Sequence, residues 1–300
     1  MPQQLDVPLL RAFIAIYETG SVTAASDRLH VTQPSVSYAL GKLREILVDP
    51  LFVRSGGVMT PTPRARDCYG LFAAALIQIE NALEQSRRFD AAESTRCLRI
   101  ALSDIGELIF LPPIFQLLQT RAPRMGLEVL QVAQEEVAGW LAAGRIDVAV
   151  GYLPAIRDRT NHAHLFDERY VCLMRKDHPQ ACAPLSLEQF AAFRYVHVAS
   201  RISAHQLVEV ALQEAGVRRL VAVHVPHFTV LPLLLSTTDL VAIVPSRVAA
   251  LFQTFAPLQI MEIPVSMQGI EVHVHWDRQH DLTEAQRWFL SLIQEALGRV

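Results

Sequence analysis

The stretch SVTAASDRLHVTQPSVSYALGKL, residues 21–43, decides the fold of the first part of this chain. Ser21 has the chemistry of a helix cap, because its hydroxyl can accept a hydrogen bond from a backbone N–H that the first turn leaves unpaired. Ala24, Ala25 and Leu29 follow at helical spacing, and the small alanines let another helix pack closely. The stretch therefore begins with a short helix.

A second helix is predicted after a tight turn at His30-Val31. Thr32 is suited to cap this helix, and Pro34 falls in its first turn, where a missing N–H removes no helical hydrogen bond. Apolar side chains then recur four and three residues apart, which predicts a buried stripe of Val36, Leu40 and Leu43. An ordinary amphipathic helix pair is the alternative interpretation.

The outer face of the second helix is polar and favours DNA binding. Such side chains can hydrogen-bond base edges in the major groove, while nearby cations hold phosphates. The segment LFVRSGGVMTPTPRA, residues 51–65, adds two strand-like pieces around Gly56-Gly57, which predict a hairpin wing with Arg64 and Arg66 near its exit. We predict a winged helix-turn-helix with DNA contacts from Thr32, Gln33, Pro34, Ser35, Ser37, Tyr38, Lys42 and Arg54.

Charge is distributed unevenly along the 300 residues. The chain is 51% hydrophobic and carries a net charge of −3, with +2 on residues 1–66 and −5 on the rest. This composition indicates a globular protein rather than a disordered one, and a weakly basic head on an acidic body fits a DNA-binding module joined to a second domain.

The sequence shows no sign of export or of membrane insertion. The N-terminus lacks a basic segment followed by an apolar one, and the most apolar run, residues 228–235, is far too short to span a bilayer. We therefore expect a cytoplasmic protein that contacts no membrane. Its four cysteines, in no zinc-ligand spacing, are expected to be reduced thiols: Cys68, Cys97, Cys172 and Cys182.

A long helical pattern follows the wing over residues 64–89. Its apolar residues are spaced three and four apart, as in a coiled-coil seam, and comprise Tyr69, Phe72, Leu76, Ile79 and Leu83. We predict a linker helix that forms a dimer, which would place two recognition helices on one face of the duplex. Packing of this helix on its own domain is the alternative.

Strand and helix patterns alternate from residue 90 onward and predict an α/β domain of two similar lobes with mainly parallel sheets. We assign residues 1–63 to the DNA-binding domain, 64–89 to the linker helix and 90–300 to the effector-binding domain. Lobe I spans about 90–165 and 266–300, and lobe II about 166–265. Strands are expected at 98–102, 127–132, 147–151, 170–175, 195–199, 220–225, 240–244 and 270–275; helices at 104–121 (with Pro112-Pro113 near its middle or at a break), 135–143, 187–193, 204–215, 228–236, after Pro245, and at 283–297.

The pattern F-x-A-x-Y-E-T-G-S-V-T-A-A-S-x-x-L-x-V-T-Q-P-S-V-S, followed by LFVR and PTPRA, resembles the LysR-type transcriptional regulators over the whole chain. LRIALSDIGELIFLPP, IDVAVGYLP, RYVCLMRKDHP, VPHF and TTDLVAIVP are similar to the branch that responds to salicylate and nitroaromatic compounds. The resemblance implies a periplasmic-binding-protein-like effector domain, a small aromatic effector between the lobes and tetramers on promoter DNA. It also implies RNA polymerase as a partner, an activator rather than a repressor, and no cofactor.

The resemblance also implies effector-binding residues, with two departures from the branch. Glu168 stands where the branch often has histidine, and an acidic group would repel an anionic effector unless it is paired, for example with Arg169 or Arg201. A phenol, an aromatic amide or a differently substituted acid therefore stays open, as does a non-aromatic effector. The implied residues are Ser103, Asp104, Ile105, Phe110, Glu168, His205, Pro226, His227, Phe228 and His275, the last standing where the branch often has phenylalanine.

Two other functions are weighed against a regulator. An enzyme is not expected, because the sequence contains no G-x-G-x-x-G after a strand, no P-loop, no G-x-S-x-G and no H-E-x-x-H. A solute receptor is disfavoured by the helix-turn-helix. His273 and His275 share a strand face, so a metal pair is conceivable, but we favour structural or ligand-facing histidines and predict no metal site.

Overall fold

A computed structural model describes residues 5–85, 89–181, 184–199 and 206–298. The chain divides into two compact units, Met1–Arg88 with Ala143–Arg145, and Phe89–Ala142 with Ile146–Val300.

The first unit contains three short helices and a two-stranded wing. Their bounds are α1 Val7–Thr19, α2 Val22–Leu29, α3 Gln33–Leu47, β1 Phe52–Ser55 and β2 Val58–Pro61. A common core forms because each helix buries one apolar stripe, with Phe13 and Ile16 from α1 and the stripe of α3 fully buried.

Local chemistry sets where these elements begin and end. The Ser21 hydroxyl accepts a hydrogen bond from the Ala24 N–H at 3.3 Å, as expected for a cap. Gly56 and Gly57 have φ of 57° and 88°, so the wing turns through two left-handed residues, which glycine adopts without strain.

A long helix, α4 Pro63–Gln85, follows the wing. The first half of its apolar seam packs on the first unit, because Tyr69 stacks on Tyr17 with centroids 4.0 Å apart and Phe72 lies 5.2 Å from Phe13. Further along, Ile79 is exposed, whereas the Leu83 side chain lies outside the described residues. The first half of the seam is therefore packed against its own domain, and the exposed Ile79 lies in the half that could contact another molecule.

The second unit contains two five-stranded sheets, one in each lobe. The lobe I sheet has the strand order β4-β3-β5-β12-β6, and α5 and α11 pack on one face while α6 and a 3-10 turn at Pro154–Arg159 pack on the other. The bounds are β3 Cys97–Ala101, α5 Asp104–Arg121, β4 Gly126–Leu130, α6 Gln134–Ala142, β5 Val148–Gly151, β6 Asn161–Glu168, β12 Ile270–Trp276 and α11 Glu284–Leu297.

The lobe II sheet has the order β11-β7-β10-β8-β9, in which β8, β9 and β10 are parallel and β7 is antiparallel to both of its neighbours, β10 and β11. The chain enters this lobe between β6 and β7 and leaves it between β11 and β12. The bounds are β7 Tyr170–Arg175, α7 Leu187–Ala192, β8 Arg194–Val198, α8 Gln206–Glu214, β9 Leu220–Val225, a 3-10 turn Phe228–Val230, α9 Leu231–Ser236, β10 Leu240–Pro245, α10 Ser246–Phe255 and β11 Leu258–Met261.

The structure differs from the sequence prediction at two elements, strands β6 and β11, which were not predicted. Helix α5 has the predicted bounds, and of the two predicted alternatives it is the one in which Pro112-Pro113 lie inside a continuous helix. Ile114 and Leu118 follow the prolines and are fully buried in the lobe I core. Their packing stabilises α5 although the prolines remove backbone donors, so tertiary contacts outweigh the local preference.

Candidate DNA-reading helix and effector cavity

The N-terminal half of α3 presents a continuous exposed polar surface. Thr32 caps the helix, since its hydroxyl accepts a hydrogen bond from the Ser35 N–H at 3.4 Å. The Tyr38 side chain is 67% exposed, the highest value among the large hydrophobic residues of the helix. The remaining predicted residues of this surface, all exposed, are Gln33, Pro34, Ser35 and Ser37.

Two of the predicted DNA-binding residues, Lys42 and Arg54, are cations near this surface. Lys42 donates to the Glu45 carboxylate at 2.8 Å, a hydrogen bond that raises the pKa of the lysine. Arg54 is exposed on β1 of the wing. Arg44, which the sequence analysis did not single out, donates to the carbonyl oxygens of Pro50 and Phe52 at 2.7 and 3.1 Å and so fixes the wing to α3.

A cavity lies between the two lobes of the second unit. It offers about 80 Å³ to the centre of a water-sized sphere, enough to admit a small molecule. This is the scale of one substituted ring rather than of an extended molecule. Its walls are mostly apolar, with aromatic faces from Phe110 and Phe166 and aliphatic side chains from Ile105, Ile109 and Val272.

Four of the predicted effector residues line this cavity: Ser103, Ile105, Phe110 and Glu168. His205 and Arg201 lie outside the described residues. The other predicted effector residues are described by the structure but are not among the residues that line the cavity: Asp104, Pro226, His227, Phe228 and His275.

Asp104 joins the two lobes instead of lining the cavity. Its Oδ2 accepts a hydrogen bond from the Phe228 N–H at 3.1 Å and lies 3.9 Å from the His227 Nδ1. The Phe228 ring is fully buried in the lobe II core, whereas Pro226 and His227 are exposed. The V-P-H-F stretch thus anchors a contact between the lobes.

Glu168 is a buried carboxylate that holds the start of α10. Its Oε1 accepts hydrogen bonds from the Ser246 N–H at 3.1 Å, the Ser246 hydroxyl at 2.5 Å and the Arg169 N–H at 2.8 Å. Its Oε2 lies 3.5 Å from Arg247 Nη1. The Arg169 side chain, named as a possible partner from the sequence, binds Glu262 at 2.6 Å instead.

His275 is buried on the opposite side of the lobe I sheet from Val272 and Val274. Its Nδ1 lies 2.9 Å from the Thr160 hydroxyl, and its Nε2 has no hydrogen-bond partner among the described residues. Burial lowers the pKa of His275 to about 3. His273 contacts Arg157 on the same face, and no group of three or more His, Cys, Asp or Glu in the described parts of the chain could hold a metal ion.

Sequence reasoning missed three polar residues of the cavity: Tyr152, Tyr170 and Arg247. Burial, and then the neighbouring Glu168, raise the pKa of Tyr170, so its hydroxyl stays protonated. Arg247 places its guanidinium carbon 4.0 Å from the centroid of the Phe166 ring. Pro245 indicated from the sequence where a helix begins, but no local pattern indicated that Arg247, two residues later, lines the cavity.

Two family profiles match the chain in the order of its two units. Residues 8–66 match the bacterial regulatory helix-turn-helix protein of the lysR family, and residues 91–298 match the LysR substrate binding domain. The chain belongs to the LysR family of transcriptional regulators. Its first unit is a DNA-binding helix-turn-helix domain, and its second has the family's two-lobed fold, so both the predicted family and the predicted fold class are confirmed.

Similar proteins extend over nearly the whole chain. The HTH-type transcriptional activator NagR of Ralstonia sp is 34% identical over 293 residues, covering 98% of this chain and 97% of the relative. NahR of Pseudomonas putida, also an HTH-type transcriptional activator, is 33% identical over 291 residues, with 97% of each chain covered. The crystal structure of the probable transcriptional regulator PA0477 from Pseudomonas aeruginosa superposes with a TM-score of 0.78 at 30% identity, covering 97% of each chain.

These matches confirm that the LysR-family chain is a transcriptional regulator and not an enzyme. Within the residues that the structure describes, no helix has both the length and the apolar character needed to cross a membrane.

Proposed function

We propose that this LysR-family regulator binds promoter DNA through α3 and is controlled by a small aromatic effector in the cavity between its lobes. The observation that carries the proposal is the cavity itself, which has the scale of one ring and is walled by Phe110 and Phe166. The resemblance to the salicylate- and nitroaromatic-responsive branch supports the same effector class. We propose activation rather than repression, because the two relatives above are named activators.

The effector would act on the distance between the lobes. Helix α5 belongs to lobe I, yet its Ile105, Leu108 and Ile109 also pack against the lobe II core. The hydrogen bond from Phe228 to Asp104 crosses the same gap. A ligand shifts such an equilibrium only by its different affinity for the two lobe arrangements, so a molecule that fits one spacing of these walls favours that state.

On DNA, the exposed face of α3 would enter the major groove. Gln33, Ser35, Ser37 and Tyr38 offer donors and acceptors to base edges, and Thr32 and Pro34 approach the backbone at the helix start. Arg54 would hold a phosphate from the wing. Lys42 would exchange Glu45 for a phosphate, which costs little because an ion pair on the surface contributes little to stability.

The active form would be an oligomer assembled through α4. Leu71 is 71% exposed and Ile79 38% exposed on this helix, so two copies can bury these side chains against each other. We propose a dimer through α4, a tetramer on DNA, RNA polymerase as the partner of activation, and the cytoplasm as the place of action.

DNA binding is tested by fluorescence anisotropy on a sequence that the full-length protein selects from a random library. Ser37→Ala and Tyr38→Ala should each weaken binding to the selected sequence roughly tenfold, since a good base contact provides about 1–3 kcal/mol of discrimination. Binding to random DNA should change little. Ser291→Ala, a serine on α11 of the second unit, is the matched control. Equal losses on selected and random DNA would contradict the assignment of these residues to base recognition.

A further inference from the structure

Two helices point their N-termini toward the effector cavity. Ser103 and Ile105 of the α5 start line it, as do Pro245 and Arg247 of the α10 start. Helix N-termini carry partial positive charge and unpaired N–H groups, which makes them natural sites for a ligand carboxylate. The charge of the effector therefore depends on whether these sites are open.

The α10 site is occupied by the protein's own carboxylate. Glu168 is 6% exposed and accepts from the N–H groups of Ser246 at 3.1 Å and Arg247 at 3.4 Å, the first two residues of the helix. The Ser246 hydroxyl adds a third hydrogen bond. A ligand carboxylate would have to displace Glu168 from these donors or lie beside it as a like charge.

The α5 site is also compensated by acidic groups. The Ser103 hydroxyl accepts from the Gly106 N–H at 3.2 Å, and the first turn of the helix carries both Asp104 and Glu107. The Asp104 side chain is only 12% exposed and is held by the Phe228 N–H. These carboxylates offset the partial positive charge of the helix N-terminus, near the point where a ligand carboxylate would bind.

The one cation among the described lining residues is already balanced. Arg247 donates to the Asp167 carbonyl at 3.0 Å, lies beside Glu168 and covers the Phe166 ring. Glu168 and Arg247 are also the only residues with a formal charge in that lining, so their charges cancel. Pairing with Arg247 weakens the repulsion that the sequence led us to expect from Glu168, but among the described lining residues it leaves no second cation to hold an acid.

We propose that the effector is an uncharged single-ring aromatic compound with a hydrogen-bonding substituent, such as an amide or a phenol, and not a carboxylate. This inference rests on the proposed aromatic-effector function and specifies its chemical class. The ring packs against Phe110 and the aliphatic walls, and Ser103 and Tyr152 bring neutral hydroxyl groups to the same lining. An anion would lose its hydration in a mostly apolar space whose described walls hold no cation beyond the paired Arg247, which is strongly unfavourable.

The test compares matched probes of nearly equal shape by calorimetric titration of the full-length protein at neutral pH. Salicylamide against salicylate, and benzamide against benzoate, differ chiefly in the charge of one substituent. The amides should bind at least about tenfold tighter, because a charged group without compensation costs about 1.4 kcal/mol or more. Equal or tighter binding of the acids would overturn the inference.

Two variants test the origin of this preference. Glu168→Gln keeps an acceptor for the α10 donors but removes the charge, so Arg247 and the helix N-terminus become available to an acid. The ratio of acid to amide affinity should rise about tenfold. Glu262→Gln makes the same chemical change on the exposed partner of Arg169 and should leave the ratio unchanged.

Asp104→Asn serves as a second variant if Glu168→Gln does not fold, and it should shift the ratio in the same direction by a smaller factor. Folding is checked by circular dichroism before titration. A ratio that stays constant in the folded variants would contradict the inference. If neither amides nor acids bind the native protein or the variants, the aromatic effector is also refuted, whereas a preference for acids refutes only the uncharged class.

Discussion

His275 should make the stability of the second unit depend on pH. The Thr160 hydroxyl donates its single proton to the Ile156 carbonyl at 2.9 Å, so it must accept from the His275 Nδ1–H at 2.9 Å. The Nε2 atom is then the unprotonated nitrogen, buried without a described partner. Protonation would place a charge and an unpaired N–H there, which explains why burial lowers the pKa of His275 to about 3.

The sign and size of the effect follow from the pKa difference. The pKa of His275 falls from 6.5 in an unperturbed histidine to about 3 in the folded protein. Between these values the unfolded chain binds a proton that the folded chain does not, so stability is lost as the pH falls below about 6.5. Between about pH 7 and about pH 5 the loss approaches 2 kcal/mol, from 1.36 kcal/mol per unit over roughly 1.5 units.

The assay is urea unfolding of the full-length protein at both pH values, followed by circular dichroism. Replacing the imidazole in His275→Phe removes the titrating group, so the variant should lose about 2 kcal/mol less than the native protein on acidification. His280→Asn, at an exposed histidine paired with Asp277, is the control and should retain the native pH dependence. If His275→Phe loses as much stability as the native protein, the assignment of this pH dependence to His275 is refuted.

Two further predictions concern a buried ion pair and the proposed dimer. Asp147→Ala should destabilise the second unit by about 3–5 kcal/mol in urea unfolding, because it removes the carboxylate that binds the largely buried Arg96. The two side chains lie 2.8 Å apart, and Arg96 is 11% exposed. As a control, Asp158→Ala at an exposed aspartate should have little effect. Leu71→Asp should shift sedimentation toward monomers, since burial of a leucine in each copy contributes about 1.5–3 kcal/mol, whereas Leu233→Asp, an equally exposed leucine on α9, should not.

The sequence was most informative where a structural element depends on neighbouring residues. The helix-turn-helix followed from the spacing of Val36, Leu40 and Leu43, and the wing from Gly56-Gly57, and both are present as predicted. Strand β6 was missed because it lies at the edge of its sheet and its sequence NHAHLFDE contains few apolar residues, with His162 and His164 exposed on it. An edge strand of this kind is specified by the register of its neighbour rather than by its own hydrophobic pattern.

The candidate effector site was predicted only in part. Resemblance placed Ser103 and Ile105 at the start of α5 and Phe110 on the wall of the cleft, and the structure brings all three to the cavity wall. It did not indicate that His275 turns to the other face of the sheet, toward Thr160. Strand residues alternate between faces, but which face meets the cavity depends on the helices packed against each side.

The sequence by itself determined the helix-turn-helix and the alternating α/β pattern, because these depend on side-chain periodicity and capping over a few consecutive residues. The family followed from the resemblance of its motifs. Only the tertiary structure decided the charge of the cavity. Glu168 contacts Arg247, which lies 79 positions later in the sequence, and Asp104 contacts Phe228, which lies 124 positions later. Pairing over such separations is fixed by how the two sheets place the N-termini of α5 and α10, which no local pattern records.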